Sequence, residues 1–208
     1  MADRYIVPVN DIENPYCTTL LIKRSKFVAQ CAHINNINEA KVFIDLIRKK
    51  NADASHNCWA FLAGPPADSA HIGSSDDGEP AGTAGRPMLD ILMHCGIGEI
   101  CVIVSRWFGG IKLGVGGLVR AYQSCVKENL ESLPVTEKCE RIKYSIIIDY
   151  SFVTSFRNGL LKFEGNLIDE NYSENAKFII NIPVEYQLSF CEFVANISNG
   201  TGICSIIE

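Results

Sequence analysis

Glycine is concentrated in the middle of this chain, where it stands among polar residues. Eleven of the sixteen glycines lie between Gly73 and Gly117. Glycine is favoured where the backbone needs a positive φ or where a ligand approaches the main chain closely. We therefore expect the functional surface to lie within residues 73–120.

One polar cluster in this region has the pattern of an anion site. An apolar strand ends at Arg106, and a glycine loop then leads into a predicted helix that begins near Gly116. Free N–H groups and the dipole at a helix start attract negative charge. Two tight turns that pack a helix on a sheet would also explain the glycines, and neither a Walker A motif nor a complete dinucleotide fingerprint is present. The candidate anion- or RNA-binding residues are Arg86, Arg106, Trp107, Lys112, Gly114, Gly116, Gly117 and Arg120.

A second cluster places three carboxylates, those of Asp76, Asp77 and Glu79, within four residues. Carboxylates this close could hold Mg²⁺, or could form bidentate pairs with Arg86 and Arg106. Glycine follows Asp77, which is also typical of a plain turn. We favour a structural carboxylate–arginine network and predict neither a metal nor a cofactor.

Aromatic and histidine side chains in the same region leave alternatives open. Trp107 and Phe108 could stack on nucleic-acid bases, although aromatic residues at the end of a buried strand more often belong to the core. His56 could be a general acid or base, but a hydrogen-bonded structural histidine is the commoner case. Ser105 and Thr83 lie in no triad pattern, so the sequence identifies no catalytic residue.

The nine cysteines follow no metal-binding pattern. No two are spaced as CxxC, and the histidine–cysteine pairs His56/Cys58 and His94/Cys95 have spacings that are poor for tetrahedral zinc. We predict reduced thiols that serve as small apolar side chains. The sequence shows no signal-peptide apolar region and no apolar run of roughly 20 residues, so we expect a soluble, cytoplasmic protein with no membrane partner.

Size and composition are those of a globular protein with one large domain or two small ones. The chain has 208 residues, of which 47% are hydrophobic and 21% are charged. Its net charge of −5 argues against a broadly basic nucleic-acid-binding protein. A local basic patch is compatible with that charge, because steering depends on where the charges lie.

The hydrophobic pattern predicts an N-terminal α/β region. Residues 64–85 are rich in Gly, Pro, Asp and Ser and are expected to form a long functional loop. Asn38 is predicted to cap a first helix that ends near Lys50. Further helices are expected at 88–94 and 116–133, and strands at 16–23, 27–33, 58–63 and 99–106.

The pattern restarts near residues 134–141, where we place the boundary between a domain of residues 1–136 and a domain of residues 137–208. A strictly alternating strand at 142–150 opens the second domain. A helix, a hairpin, a second helix and a last strand follow at 152–163, 166–172 with 177–183, 184–195 and 203–207. This βαββαβ order is the ferredoxin-like plan.

The polar motifs of this chain together resemble the YigZ/IMPACT family. They are KRSKF at 23–27, SHNC at 55–58, SDDGEPAGTAGRP at 75–87 and RWFGGIKLGVGGLVRAY at 106–122. The resemblance covers the whole chain, in motif up to about Lys138 and in layout beyond it. Trp107 stands where the family more commonly has tyrosine.

The resemblance implies an α+β fold of two domains. The N-terminal one is an α/β sandwich resembling domain IV of elongation factor G, and the C-terminal one is a ferredoxin-like domain similar to domain V of that factor. Eukaryotic IMPACT regulates translation initiation under amino-acid stress by binding a protein activator of a translation kinase. For bacterial members the resemblance suggests association with RNA or ribosomes, and the family offers no accepted catalytic residues to carry over.

We therefore predict a translation-associated regulatory binding protein. Its surface of residues 73–120 is expected to contact RNA, the ribosome or a translation-control protein. One alternative is a nucleotide- or phosphate-dependent small-molecule enzyme, because GVGGL at 114–118 loosely resembles the glycine loop of small-molecule kinases of this superfold. That loop lacks the serines of such kinases, so we lean away from an enzyme. The other alternative is a module that only binds proteins.

Overall fold

The structure, a computed structural model, describes residues 4–207, which divide into two compact units. One unit is Tyr5–Lys138, and the other contains Arg4 together with the described residues from Cys139 onward. Each unit has buried apolar residues of its own. The two-domain α+β fold expected from the sequence is confirmed.

A five-stranded antiparallel sheet forms the centre of the N-terminal unit. The strands of this unit are β1 (Tyr5–Pro8), β2 (Tyr16–Ile22), β3 (Ser25–His33), β4 (His56–Leu62), β5 (Ile72–Ser75), β6 (Ile100–Trp107) and β7 (Val135–Lys138). The sheet order is β2–β3–β6–β4–β5, and β1 and β7 form a separate two-stranded ribbon. β6 is buried along nearly its whole length, which explains its apolar run from Ile100 to Val104.

Helices cover both faces of this sheet. They are α1 (Ile37–Lys50), α2 (Gly85–Leu92) and α3 (Val115–Glu131). α1 packs on one face through residues such as Phe43, whereas α2 and α3 pack on the other face, where Tyr122 lies against Phe27. The sheet is therefore the middle layer of a sandwich, and the segments that lead into α2 and α3 emerge beside each other.

Two local expectations for this unit were wrong, and two short strands were missed. Asn36, not Asn38, caps α1, because its side chain accepts the N–H groups of the first turn. The predicted loop of residues 64–85 contains the edge strand β5, and α2 starts at Gly85. The four-residue strands β1 and β7 were not predicted, because so short a segment carries little periodicity.

The C-terminal unit has the ferredoxin-like plan expected from its pattern. Its elements are β8 (Arg141–Ile148), α4 (Val153–Leu160), β9 (Asn166–Tyr172), β10 (Ala176–Pro183), α5 (Gln187–Ile197) and β11 (Ile203–Ile207). The antiparallel sheet has the order β11–β8–β10–β9. Both helices are shorter than predicted, since 3₁₀ turns occupy residues 150–152, 161–163 and 184–186. Across the described residues, no helix is long and apolar enough to cross a membrane.

Candidate functional site

Asp76 organises the turn that follows β5. Its Oδ1 accepts the N–H groups of Ala84 and Gly85, at 2.9 Å each, and its Oδ2 accepts that of Gly82 at 2.8 Å. Burial opposes ionisation, but the three N–H groups outweigh it and lower the pKa of Asp76. A Cβ at position 85 would lie 2.7 Å from the backbone of Ser75, so glycine is required there. Asp76 thus holds the start of α2 against the sheet.

Asp77 ties the same turn to α1 and β4. Its Oδ1 accepts a hydrogen bond from Arg48 Nη2 and its Oδ2 accepts one from the N–H of Asn57, both at 2.6 Å. Its backbone carbonyl accepts a hydrogen bond from His56 Nδ1 at 2.9 Å. Because a carbonyl oxygen can only accept, His56 Nδ1 is the donor in this hydrogen bond. The other ring nitrogen, Nε2, lies 4.0 Å from Glu79 Oε2.

Glu79 forms a buried ion pair with Arg106, in which Oε1 lies 2.6 Å from Nη1. The Tyr122 hydroxyl donates to the same oxygen at 2.9 Å, and the Cys58 thiol donates to Tyr122 at 3.3 Å. Burial, reinforced by Cys58 and Glu79, raises the pKa of the Tyr122 hydroxyl, which therefore remains a neutral donor. Of the two arginines expected to pair with the carboxylate cluster, Arg106 does so, through Glu79, whereas Arg86 pairs with Asp90 instead.

The three clustered carboxylates bind separate partners and do not converge. Asp76 accepts backbone N–H groups, and Asp77 and Glu79 bind different arginines. Within residues 4–207, no group of three or more His, Cys, Asp or Glu residues could hold a metal ion. These contacts give no support to the magnesium alternative for the carboxylates, nor to a zinc site built from His56, Cys58, His94 and Cys95.

A cleft of about 400 Å³ opens beside the Glu79–Arg106 ion pair. We refer to it below as the cleft. Its polar lining consists of His56, Glu79, Arg106 and Lys112, and its apolar lining includes Phe108, Leu113 and Val115. The cleft thus brings together the start of β4, the end of β6, the carboxylate turn and the start of α3.

Arg106 is the most deeply buried cation of the cleft, with only 5% of its surface exposed. Its guanidinium carbon lies 5.4 Å from the ring centre of Phe27 and 5.6 Å from that of Phe108. Its Nε has no hydrogen-bond partner among the residues described. That nitrogen has almost no accessible surface, and a buried unpaired donor is costly.

The N-terminus of α3 reaches the cleft without a side-chain cap. Gly114 is the N-cap residue, at a φ of 75° that disfavours any residue with a Cβ, and no side chain accepts a hydrogen bond there. The first-turn N–H groups, including those of Gly116 and Gly117, have no partner within the helix and carry its positive end. The start of α3 therefore offers free N–H donors beside the cleft, and anion binding there stays a prediction.

Five exposed basic side chains surround the glycine loop between β6 and α3. None of them forms an ion pair with any residue in the described part of the chain. Lys112 lines the cleft, and Arg120 and Lys23 line a neighbouring hollow of about 260 Å³. We call this group the basic patch: Lys23, Arg24, Lys26, Lys112 and Arg120.

The β2–β3 hairpin brings three of these cations to the site. Lys23 and Arg24 have φ values of 45° and 67°, the combination found in two-residue type I′ turns. A Cβ at Gly109 would lie 1.9 Å from the carbonyl oxygen of Arg24, so glycine allows the hairpin to pack on the loop. Lys26 Nζ lies 5.1 Å from the ring centre of Trp107. The KRSKF motif at residues 23–27 could have identified this hairpin from the sequence, but its residues were not among the predicted binding residues.

Arg86 and Trp107 also lie outside the cleft lining. Arg86 pairs with Asp90, one turn along α2, at 3.0 Å. The indole N–H of Trp107 donates to Asp53 at 2.9 Å, and Lys26 lies over its ring. The aromatic side chain that lines the cleft is Phe108, which is 50% exposed.

Comparisons with known sequences and structures identify relatives of the whole chain. The Impact N-terminal domain matches residues 23–130, and a domain of unknown function (DUF1949) matches residues 146–201. The chain is 39% identical over 180 residues to "IMPACT family member YigZ" of Escherichia coli, covering 86% of this chain and 88% of that protein.

A solved structure and a eukaryotic protein add to these relatives. A crystal structure described as that of a hypothetical protein superposes with a TM-score of 0.69 at 36% identity, covering 100% of this chain and 99% of the other. "Protein IMPACT" of Rattus norvegicus is 35% identical over 95 residues, which cover 44% of this chain and 29% of the rat protein. The eukaryotic likeness is therefore confined to part of each chain.

Proposed function

This chain belongs to the IMPACT family, and from that premise we propose that it is a translation-associated regulatory protein that binds RNA phosphates through the cleft and the basic patch. The link to translation comes from the family resemblance. The choice of RNA comes from the chemistry of the surface. Phosphate oxygens are acceptors with negative charge, so they complement both free N–H groups and cations.

The observation that carries the proposal is the set of unpaired positive groups at one place. The chain has a net charge of −5, yet the five cations of the basic patch have no carboxylate partner among the described residues. The uncapped start of α3 lies next to them. Cations left unpaired in an acidic chain concentrate a positive field that steers a polyanion.

The test is a salt titration of RNA and ribosome binding by the full chain. Each phosphate contact releases counterions, so log affinity falls with log salt by about 0.7 per contact for a single strand. We expect Lys112→Ala to lower affinity and to make this slope shallower by about one contact, with little effect on stability. The matched control is Lys41→Ala, an exposed lysine on α1, which packs against the opposite face of the sheet.

Equal binding by wild type and Lys112→Ala at every salt concentration would contradict the proposed surface. Binding of mononucleotides in place of RNA, read by thermal shift with and without Mg²⁺, would favour the small-molecule enzyme instead. Binding to neither RNA nor nucleotides would favour the protein-interaction module.

A further inference from the structure

The cleft has a lining that a phosphate group alone would not require. Apolar side chains, among them Phe108, Leu113 and Val115, form much of its wall. Its volume of about 400 Å³ exceeds what one phosphate fills. Apolar walls around a few polar groups are typical of sites for a flat organic ligand.

The inner end of the cleft carries both a donor and an acceptor. Arg106 lines the cleft and binds Glu79 through Nη1, whereas its Nη2 makes no hydrogen bond with any described residue. Glu79 uses Oε1 to bind Arg106 and Tyr122, whereas Oε2 has no hydrogen-bond donor in the described chain and lies 4.0 Å from His56 Nε2. A carboxylate oxygen repels phosphate but accepts from an amino or imino group. The inner end therefore suits the edge of a nucleobase better than an anion.

The mouth of the cleft has the opposite character. The free N–H groups at the start of α3 and the unpaired Lys112 lie there, and both favour negative charge. Phe108, half exposed, lines the cleft, and the Arg106 guanidinium carbon lies 5.6 Å from its ring centre. A base stacked on this ring would place its edge toward Glu79 and Arg106 and its phosphate toward α3.

We propose that the cleft is a subsite for one unpaired nucleotide of an RNA strand, with the base against Phe108 and the phosphate at the first turn of α3. This inference rests on the proposed function and makes it specific for single-stranded segments. In a duplex the base is paired and stacked, so its edge and face are not available to the cleft.

The experiment measures the affinity of the full chain for a single-stranded RNA oligomer and for the same sequence in a blunt duplex. Phe108→Ala is expected to weaken single-strand binding by about 5- to 150-fold, the range found when an aromatic platform is removed, and to leave duplex binding unchanged. Phe108→Tyr keeps the ring and should bind as wild type does. The control Ile111→Ala removes an exposed apolar side chain of the same loop that does not line the cleft.

Phe108→Leu provides a second variant in case alanine disturbs the loop, since it retains apolar bulk without a π face. If Phe108→Ala weakens single-strand and duplex binding equally, or weakens neither, the nucleotide subsite is wrong, while salt-dependent RNA binding would leave the proposed function standing. If wild type binds no RNA, the proposed function fails and the subsite fails with it. Tighter binding of a ribonucleoside monophosphate than of the oligomer would overturn the assignment to an RNA strand.

Discussion

At the scale of single residues, Arg106 has two roles. It neutralises Glu79, and its remaining N–H groups and planar face lie beside the cleft. A buried ion pair stabilises little in itself, because desolvation offsets the attraction. Loss of one partner is costly, however, since the other charge then stays buried without compensation. Lys112 differs because it is exposed and unpaired, so its replacement tests recognition with little effect on the fold.

We predict that Arg106→Ala lowers the free energy of unfolding by about 3–5 kcal/mol, because Glu79 is left buried and charged. In the double variant Arg106→Ala/Glu79→Gln, the neutral amide should recover part of that loss. Urea denaturation of wild type, the two single variants Arg106→Ala and Glu79→Gln, and the double variant measures both effects. Arg120→Ala, which removes an exposed unpaired arginine, is the matched control and should change stability by less than about 0.5 kcal/mol. A loss below about 1 kcal/mol for Arg106→Ala would show that Glu79 can be neutralised or hydrated without its partner.

Glu99 shows how one side chain holds an element in place. It is 7% exposed and has a φ of 49°, unusual for a residue other than glycine. Its carboxylate accepts hydrogen bonds from Tyr5 in β1 at 2.8 Å and from Lys138 in β7 at 2.6 and 2.7 Å, and it contacts His33 of β3 at 2.6 Å. Burial opposes ionisation, but these donors prevail and lower the pKa of Glu99. The Glu99 carboxylate therefore joins the β1–β7 ribbon to β3, beside the backbone hydrogen bond from the N–H of Gly98 to the carbonyl oxygen of Ile6.

We predict that Glu99→Gln loosens this ribbon, because a neutral amide cannot form an ion pair with Lys138. Backbone amides of Tyr5–Pro8 and Val135–Lys138 should exchange hydrogen faster than in wild type, while those of β6 keep their protection. Glu128→Gln, at an exposed glutamate of α3 that makes no ion pair with any described residue, is the control. Unchanged exchange in the ribbon would show that its backbone hydrogen bonds hold it without the Glu99 charge.

The lowered pKa of Glu99 also determines in which direction the stability of the fold changes with pH. A carboxyl group whose pKa is lower in the folded state stabilises the fold at pH values above its ordinary pKa of about 4.3. That stabilisation is lost as the pH falls through the lower, folded-state pKa. Wild type should therefore lose stability over this acidic range more steeply than Glu99→Gln, as measured by urea denaturation at each pH.

The residues around the cleft come from elements that the sequence largely predicted. The strand that ends at Arg106, the helix that starts near Gly116 and the glycine turns were all apparent from periodicity and composition. The β2–β3 turn was not recognised as part of the site, because Lys23 and Arg24 adopt positive φ values without glycine. Hydrogen bonds between distant turns, such as that of Asp77 with Arg48, leave no trace in local sequence patterns.

At the scale of the whole molecule, the two units have separate buried cores. In the C-terminal unit Phe156 contacts both Phe178 and Phe190 in a core that contains no residue of the N-terminal sheet. Arg4, the N-terminal residue grouped with this unit, contributes surface ion pairs with Glu164 and Glu185 at 3.1 and 2.5 Å. Exposed pairs of this kind contribute about 0–1 kcal/mol, so the unit depends little on them.

We predict that a fragment of residues 138–208 folds by itself, in keeping with the proposed domain boundary. It should show circular dichroism of a mixed α/β protein and a cooperative thermal transition. Phe178→Ala in the fragment is the control, since loss of a fully buried phenylalanine costs about 3–5 kcal/mol and should abolish the transition. A fragment that remains a random coil would show that the second unit needs the first in order to fold.

The sequence by itself determined the two-domain plan, the family and the segment that carries the candidate site. These features depend on local periodicity, on turn chemistry and on long motifs, all of which are read along the chain. Only the tertiary structure decided which charges meet: Arg106 pairs with Glu79 and not with Asp76 or Asp77, and Phe108 rather than Trp107 lines the cleft. Side-chain partners depend on how strands, turns and helices distant in sequence pack together. Within one cluster of carboxylates, sequence spacing cannot distinguish a residue that caps a helix from one that neutralises a buried cation.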